Sequence, residues 1–185
     1  MSEWFETLPG LYGEVWKQLA QGAARKNVAA QQPTLSTISP DGWPESRTVV
    51  LRSADRSKSR LDAFTDVRSD KMASLASHPR AALHFWDAER ALQVRIQATV
   101  AVCTGTSVAN DWHALPDAAR LSYGIAPPPG QALSDALDYV KTPDQSRFCM
   151  LQLTVVHIDA VHLGKDHRRA IFTAANGWSG MWVSP

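Results

Sequence analysis

The segment Leu92–Val102 sets the tightest limit on the fold. Gln93, Arg95, Gln97 and Thr99 fall on one side of its alternation, and Val94, Ile96, Ala98, Val100 and Val102 fall on the other. A period of two sends successive side chains to opposite sides of a pleated chain. The stretch therefore predicts a long strand with one buried face and one polar face. Thr34–Ser39, Glu45–Arg52, Arg60–Thr65, Ala81–Trp86, Phe148–Leu163, Ala170–Ala174 and Trp178–Val183 are further strand candidates. Ser39-Pro40-Asp41-Gly42 reads as a turn, because proline presets φ and glycine accepts positive φ. Asn176-Gly177 reads as a two-residue hairpin turn. Eight or nine short strands joined mainly by hairpins suit a small antiparallel barrel, since closure removes the exposed sheet edges.

Helices fall between the strands. Leu11, Val15, Trp16 and Leu19 form a helical stripe within Leu11–Ala24, with Gly22 near its end, and the polar Asn27–Gln32 reads as a loop. Ser69 is the expected N-cap of a short helix with Met72, Leu75 and Ala76 on one face. His78-Pro79 stops it. Ser107–Ser122 reads as helix with Trp112 and Leu115 inward, divided by Pro116. Ala126–Gly130 is a rigid connector, and Leu133–Val140 reads as a second short helix. The reading is mainly β, a β-barrel with flanking helices. It treats residues 1–185 as a single domain, with 1–30 an N-terminal helical segment and 104–145 a helical insertion.

A net charge of +1 implies no general attraction to nucleic acid or to an anionic membrane surface. The basic residues are local, which favours a small anionic ligand. Cys103 and Cys149 sit in apolar runs and read as buried thiols rather than a disulfide framework. The opening MSEWFETLPG lacks a basic segment followed by an apolar one, and no apolar run approaches the roughly 20 residues that span a bilayer, so the expected location is cytoplasmic. Some of the seven tryptophans are expected to line a pocket, a subunit interface or the core.

Chemistry concentrates in Arg47–Lys71, which reads as strand, loop, strand and a turn into a helix, with cations at both ends. Arginine on a strand, a hydroxyl at a helix start and a nearby lysine suit a phosphate ester carrying about −1.5 to −2 charge. The alternative is a hairpin whose charges are all solvated. Gln93 can donate and accept toward a polar heterocycle, or can simply face solvent. His84, His113, His157 and His162 lack ligand spacing, so no metal site is assigned.

Ser39–Arg52, Phe64-Thr65 followed by Ser69-Asp70-Lys71, and Leu92-Gln93-Val94 together resemble the pyridoxamine 5′-phosphate oxidase family of FMN-binding split barrels. The resemblance covers residues 34–103 well and 148–185 more weakly. It implies a split β-barrel and a homodimer holding FMN between its subunits. Arg47 matches the arginine that meets the FMN phosphate, and the backbone of Thr48, Val49, Val50 and Leu51 would run along the flavin. Arg52 stands where the family has a substrate-phosphate lysine and also belongs to this cofactor segment. Phe64, Thr65, Ser69, Lys71 and Gln93 match further cofactor contacts. Lys165-x-His167-x-Arg169 is similar to Arg-x-His-x-Arg, in which the first two groups face substrate and the last faces FMN.

The departures lie mostly on the substrate side. Asp70 replaces the arginine of Ser-Arg-Lys, and it would point away or pair with Arg68 or Lys71. Arg68 could supply the missing charge. Val161 stands for a flanking tryptophan, and the family's Tyr, Arg and Ser set falls near Trp112, Pro116 and Arg120. Pro127–Gly130 replaces a polar segment that reaches the partner's FMN. The substrate-side expectation is thus Arg52, Trp112, Lys165 and His167, with no protein nucleophile and no catalytic residue assigned. The resemblance implies an FMN-dependent oxidoreductase acting on a small molecule; pyridoxamine or pyridoxine 5′-phosphate oxidation is one version, and the departures favour a related enzyme with a different or unknown substrate. The alternatives are a non-catalytic flavin- or haem-binding split barrel and a bare interaction module.

Overall fold

Alternating burial along the chain builds one sheet around two long strands. The computed structural model describes residues 3–24 and 27–185. In chain order the elements are α1 (Leu8–Ala24), β1 (Thr34–Ile38), β2 (Pro44–Thr48), β3 (Leu51–Asp55), β4 (Arg60–Asp66), α2 (Lys71–Ser77), β5 (Arg80–Asp87) and β6 (Leu92–Thr104). There follow α3 (Ala109–Ala114), α4 (Asp117–Arg120), β7 (Ile125–Ala126), β8 (Val140–Lys141), β9 (Phe148–His162), β10 (Arg168–Thr173) and β11 (Met181–Val183). Nine strands form one sheet along the path β11-β10-β9-β6-β5-β1-β2, with β4 on β9 and β3 on β4. The short β7–β8 ladder stands apart.

The sheet divides at β9. Along one edge β9 pairs with β6 from His162 to Cys149. Along the other it serves two hairpins: β4 takes Phe148–Thr154, and β10 takes His157–His162. At the opposite end of the path, β2 runs into β3 through Val49 and Val50 alone. The expected continuous strand Glu45–Arg52 is therefore broken. The break is where the chain passes from one end of the strand path to the other, so the ring β2-β1-β5-β6-β9-β4-β3 is closed by the backbone itself. Val49 turns its N–H to Pro33 O at 3.1 Å and buries its side chain.

Inward residues from β1, β3, β4, β5, β6 and β9 make one core: Leu35, Leu51, Leu61, Leu83, Ile96, Leu153 and Ile158 are buried. The outward residues Arg95, Gln97 and Thr99 are exposed, as the alternation requires, although Val102 on the inner register is exposed too. The stripe Leu11, Val15, Trp16 and Leu19 packs α1 into the same core. Each such side chain contributes on the order of 1.5–3 kcal/mol. The helix starts earlier than its apolar stripe, because Thr7 Oγ1 accepts from Gly10 N at 3.1 Å and a proline is tolerated in the first turn. Gly22 is required by packing, since a Cβ there would lie 2.5 Å from Ala30 C and O. The expected segment 1–30 includes residues 1, 2, 25 and 26, which lie outside the described residues.

Several local expectations fail. Ala29–Gln31 forms a 3-10 turn rather than open loop. Leu133–Val140 is not helical; Leu133 and Leu137 are exposed, so its apolar spacing has no surface to pack on. Residues 105–120 are helical in pieces, and Pro116 does separate α3 from α4. Beneath them a second small core gathers Val108, Trp112, Leu115, Tyr123, Phe148 and Met150. Asn176-Gly177 is not a two-residue hairpin, because a 3-10 turn at Ala174–Asn176 lengthens the connection and the last strand begins at Met181. Ala76 is exposed, and Cys103 is only half-buried while Cys149 is buried. Among the described residues, no helix is long and apolar enough to cross a membrane.

Candidate functional site

The β1–β2 ladder sets Thr37 opposite Glu45 and Leu35 opposite Arg47. Arg47 reaches diagonally across it. One guanidinium nitrogen donates to Thr37 Oγ1 at 2.6 Å, and the other donates to Glu45 Oε2 at 3.0 Å. Ser74 Oγ on α2 donates to the same carboxylate oxygen at 2.9 Å, which ties the helix to the hairpin. Lys71, at the first turn of α2, donates to Thr65 Oγ1 and Ser69 Oγ, each at 2.9 Å. No carboxylate lies within ion-pairing distance of Lys71 among the described residues. Burial, and next the nearby Arg47 charge, hold its ammonium below the usual lysine range. The cluster thus holds two cations, a single carboxylate and the hydroxyls of Thr37, Thr65, Ser69 and Ser74.

The structure revises how Ser69 enters this cluster. Asp70, not Ser69, occupies the N-cap of α2, with helical φ and ψ and no side-chain cap bond. The Ser69 hydroxyl instead donates to Asp66 O at 2.8 Å. Asp70 is exposed and pairs with neither Arg68 nor Lys71. Arg68 does not supply a spare charge, because its Nε and a terminal nitrogen grip Asp66 at 3.0 and 2.7 Å. Burial pushes the Asp66 carboxyl up, but the bonds from Arg68 and Gly124 N outweigh it and leave it below its ordinary value. Arg68 also donates to Ile125 O, so this pair fastens β7 to the turn that carries Ser69 and Lys71. Cys149 lies beneath Thr65, its Sγ 3.4 Å from Thr65 O. Burial pushes that thiol up to about 11, Lys71 pulling the other way, so it is no nucleophile near neutral pH.

Arg52 is exposed, with its guanidinium 5.6 Å from the Phe64 ring centroid. Phe64 meets Phe148 at 4.9 Å, and Phe148 also meets Tyr123 and Trp112. Burial raises the Tyr123 phenol above its usual value, and Arg52 opposes the shift. Trp112 is therefore a member of the second core, with the Arg120 guanidinium 5.7 Å from its ring. Of the segment expected to run along a flavin, Val49 and Leu51 are buried, Thr48 is exposed and Val50 is half-buried.

The remaining predicted residues lie elsewhere. Gln93 pairs with Trp86 on β5 and Val161 on β9, and Val161 pairs with Arg169 on β10. Arg169 donates to both oxygens of Asp159, which also accepts from Arg95. Lys165 and His167 are exposed in the β9–β10 connection. Arg47 stands on β2 and Arg169 on β10, strands that do not pair with each other. The chain thus carries one cationic cluster on β2, β4 and α2 and a second polar set on β6, β9 and β10. Sequence reasoning missed Thr37, Glu45, Ser74 and Asp66. Glu45 lies two residues from Arg47 on one strand face, a visible signal, whereas Thr37 and Ser74 need the hairpin register and the helix docking. Among the described residues, no group of three His, Cys, Asp or Glu side chains could hold a metal.

Comparison with known proteins adds an independent line. Residues 13–104 match the family model described as pyridoxamine 5′-phosphate oxidase, FMN-binding domain. The chain is 30% identical over 173 residues to the pyridoxine/pyridoxamine 5′-phosphate oxidase of Granulibacter bethesdensis, covering 92% of this chain and 72% of that one. It is 46% identical over 67 residues to the corresponding oxidase of Thermosynechococcus vestitus, which is 36% of this chain but only 31% of that relative. A crystal structure of a pyridoxamine 5′-phosphate oxidase-related, FMN-binding protein from Nostoc punctiforme superposes with a TM-score of 0.75 at 25% identity, covering 94% of this chain and 96% of that one. On fold, motif and sequence together, the chain belongs to the pyridoxamine 5′-phosphate oxidase family of FMN-binding split barrels.

Proposed function

We propose that the protein is an FMN-dependent oxidoreductase that binds the flavin between two copies of the chain and acts on a substrate other than pyridoxamine or pyridoxine 5′-phosphate. The observation that carries the cofactor half is Lys71. It is a partly buried ammonium without a carboxylate, beside Arg47 and among hydroxyls, and its depressed pKa is the penalty that a bound anion would relieve. Arg47, Thr65, Ser69 and Lys71 would hold the phosphate, and the backbone of Thr48–Leu51 with Phe64 would border the rest. FMN, when bound, supplies the two-electron redox chemistry. The chain's own residues bind, orient and shield.

The placement of the two sets on different strands supports the two-copy reading. Gln93 stands on β6, Lys165 and His167 in the β9–β10 connection and Arg169 on β10, none of them on a strand next to Arg47. A twofold-related copy would bring its own polar set to that place. The altered substrate follows from Arg52 and Trp112: the first lies against Phe64 and interacts with Tyr123, and the second is buried. His167 remains free to orient a substrate or relay a proton.

An absorption spectrum of the purified protein, with mass analysis of released cofactor, tests the reading. Flavin bands and FMN are expected, with failure to oxidise pyridoxamine phosphate. A Soret band without flavin would overturn it.

Lys71 gives a pH dependence with a definite sign. The ammonium must be protonated to hold a phosphate dianion, and its folded pKa is lowered from 10.5. FMN affinity should fall as pH rises toward 10, earlier than an ordinary lysine would titrate. In Lys71→Arg the fall should vanish, because guanidinium stays charged. Titrations by flavin fluorescence between pH 7 and 10 measure both.

A further inference from the structure

Beside α1 lies a hollow of about 650 Å³, lined by Pro9 and Tyr12 of α1, Arg56 and Ser57 of the β3–β4 turn, and Gly177, Trp178 and Ser179 of the β10–β11 connection. None of these residues belongs to the cationic cluster described above. We propose that this hollow is a second binding site, distinct from the flavin site, and that it takes a planar aromatic carboxylate.

Three observations point to that ligand. First, the hollow is lined by an aromatic pair in which the buried Tyr12 backs the half-buried Trp178, the rings stacking with centroids 5.8 Å apart and planes 23° apart. Aromatic faces in such an arrangement favour another flat ring. Second, the Arg56 guanidinium stands 4.8 Å from the Tyr12 centroid and pairs with no carboxylate among the described residues. A planar guanidinium offers the two-pronged donor set that a carboxylate accepts. Asp55 is next to Arg56 in the same turn, where it accepts from Ser57 and pairs with Lys58. With one free cation and a carboxylate close by, a monoanion suits the site better than a phosphate dianion. Third, Trp178 has φ +63, a left-handed conformation that bulky residues rarely adopt. Backbone strain of this kind concentrates at ligand clamps. Here it sets the indole against Tyr12 at the lip of the hollow. The volume is in the range that holds a small organic ligand.

Calorimetric titration of 2-naphthoate into the FMN-saturated protein tests the proposal, with 2-naphthamide as the uncharged isostere. One naphthoate per chain should bind without releasing FMN, and the amide should bind at least tenfold more weakly. Arg56→Gln lies in an exposed turn and should lower naphthoate affinity at least tenfold with flavin content unchanged. The site is overturned by absence of naphthoate binding up to millimolar concentration, by equal affinity in R56Q, or by displacement of FMN.

Discussion

Arg47→Ala should weaken FMN binding by about 10- to 150-fold, the equivalent of about 1.5–3 kcal/mol for hydrogen bonds to a charged group. The guanidinium has one nitrogen on Thr37 and one on Glu45, so it is pre-aimed rather than free to wander. Folding should suffer little. The Arg47–Glu45 pair is partly exposed, and such pairs contribute about 0–1 kcal/mol. Glu45 would keep its bond from Ser74. The contrast is therefore large: near-native thermal unfolding of the apoprotein with a collapse of flavin retention. Fluorescence quenching of FMN on titration gives the affinity. An unchanged dissociation constant would remove Arg47 from the site. Arg47→Lys should fall between, since it keeps the charge and loses the fork.

Mixed dimers give the second large effect. Lys71→Met and Arg169→Ala homodimers should both lose flavin. If the site takes Lys71 from one subunit and Arg169 from the other, a dimer of one chain of each kind holds one site with both defects and one with none. Co-expressed chains with different tags, purified for both, should then recover about half of the wild-type FMN content. If both residues served the same site from one subunit, every site would carry a defect and nothing would be recovered. Arg169→Ala is a fair partner for this test, because Asp159 still accepts from Arg95 and is not left as a bare buried carboxylate.

Both experiments rest on placements that differ in how they could be read. The alternation of Leu92–Val102 reports burial residue by residue, so β6 and its polar face followed from the sequence alone. The same holds for the α1 stripe and the Pro40–Gly42 turn, where Gly42 has φ +86. These are local matters: a period, a cap or a permitted dihedral is decided within a few residues. The association of Arg47 with Lys71 was suggested by residue type and by resemblance rather than by any local period, because nothing local says that α2 docks on β2.

Tertiary structure alone decided the rest. Val49–Val50 breaks a stretch that reads as one strand, because ring closure needs a corner where the two ends of the sheet meet. Ser69 leaves its expected cap for Asp66 O and Lys71, since a hydroxyl takes the partners that packing brings within reach. Leu133 and Leu137 keep a helical spacing and form no helix, because no apolar surface lies opposite them to repay the ordering. Local pattern determined the strands, the first helix and the charged residues. Only the closed sheet, by setting register between segments far apart in the chain, determined which of those charges meet and which stand on strands that do not pair.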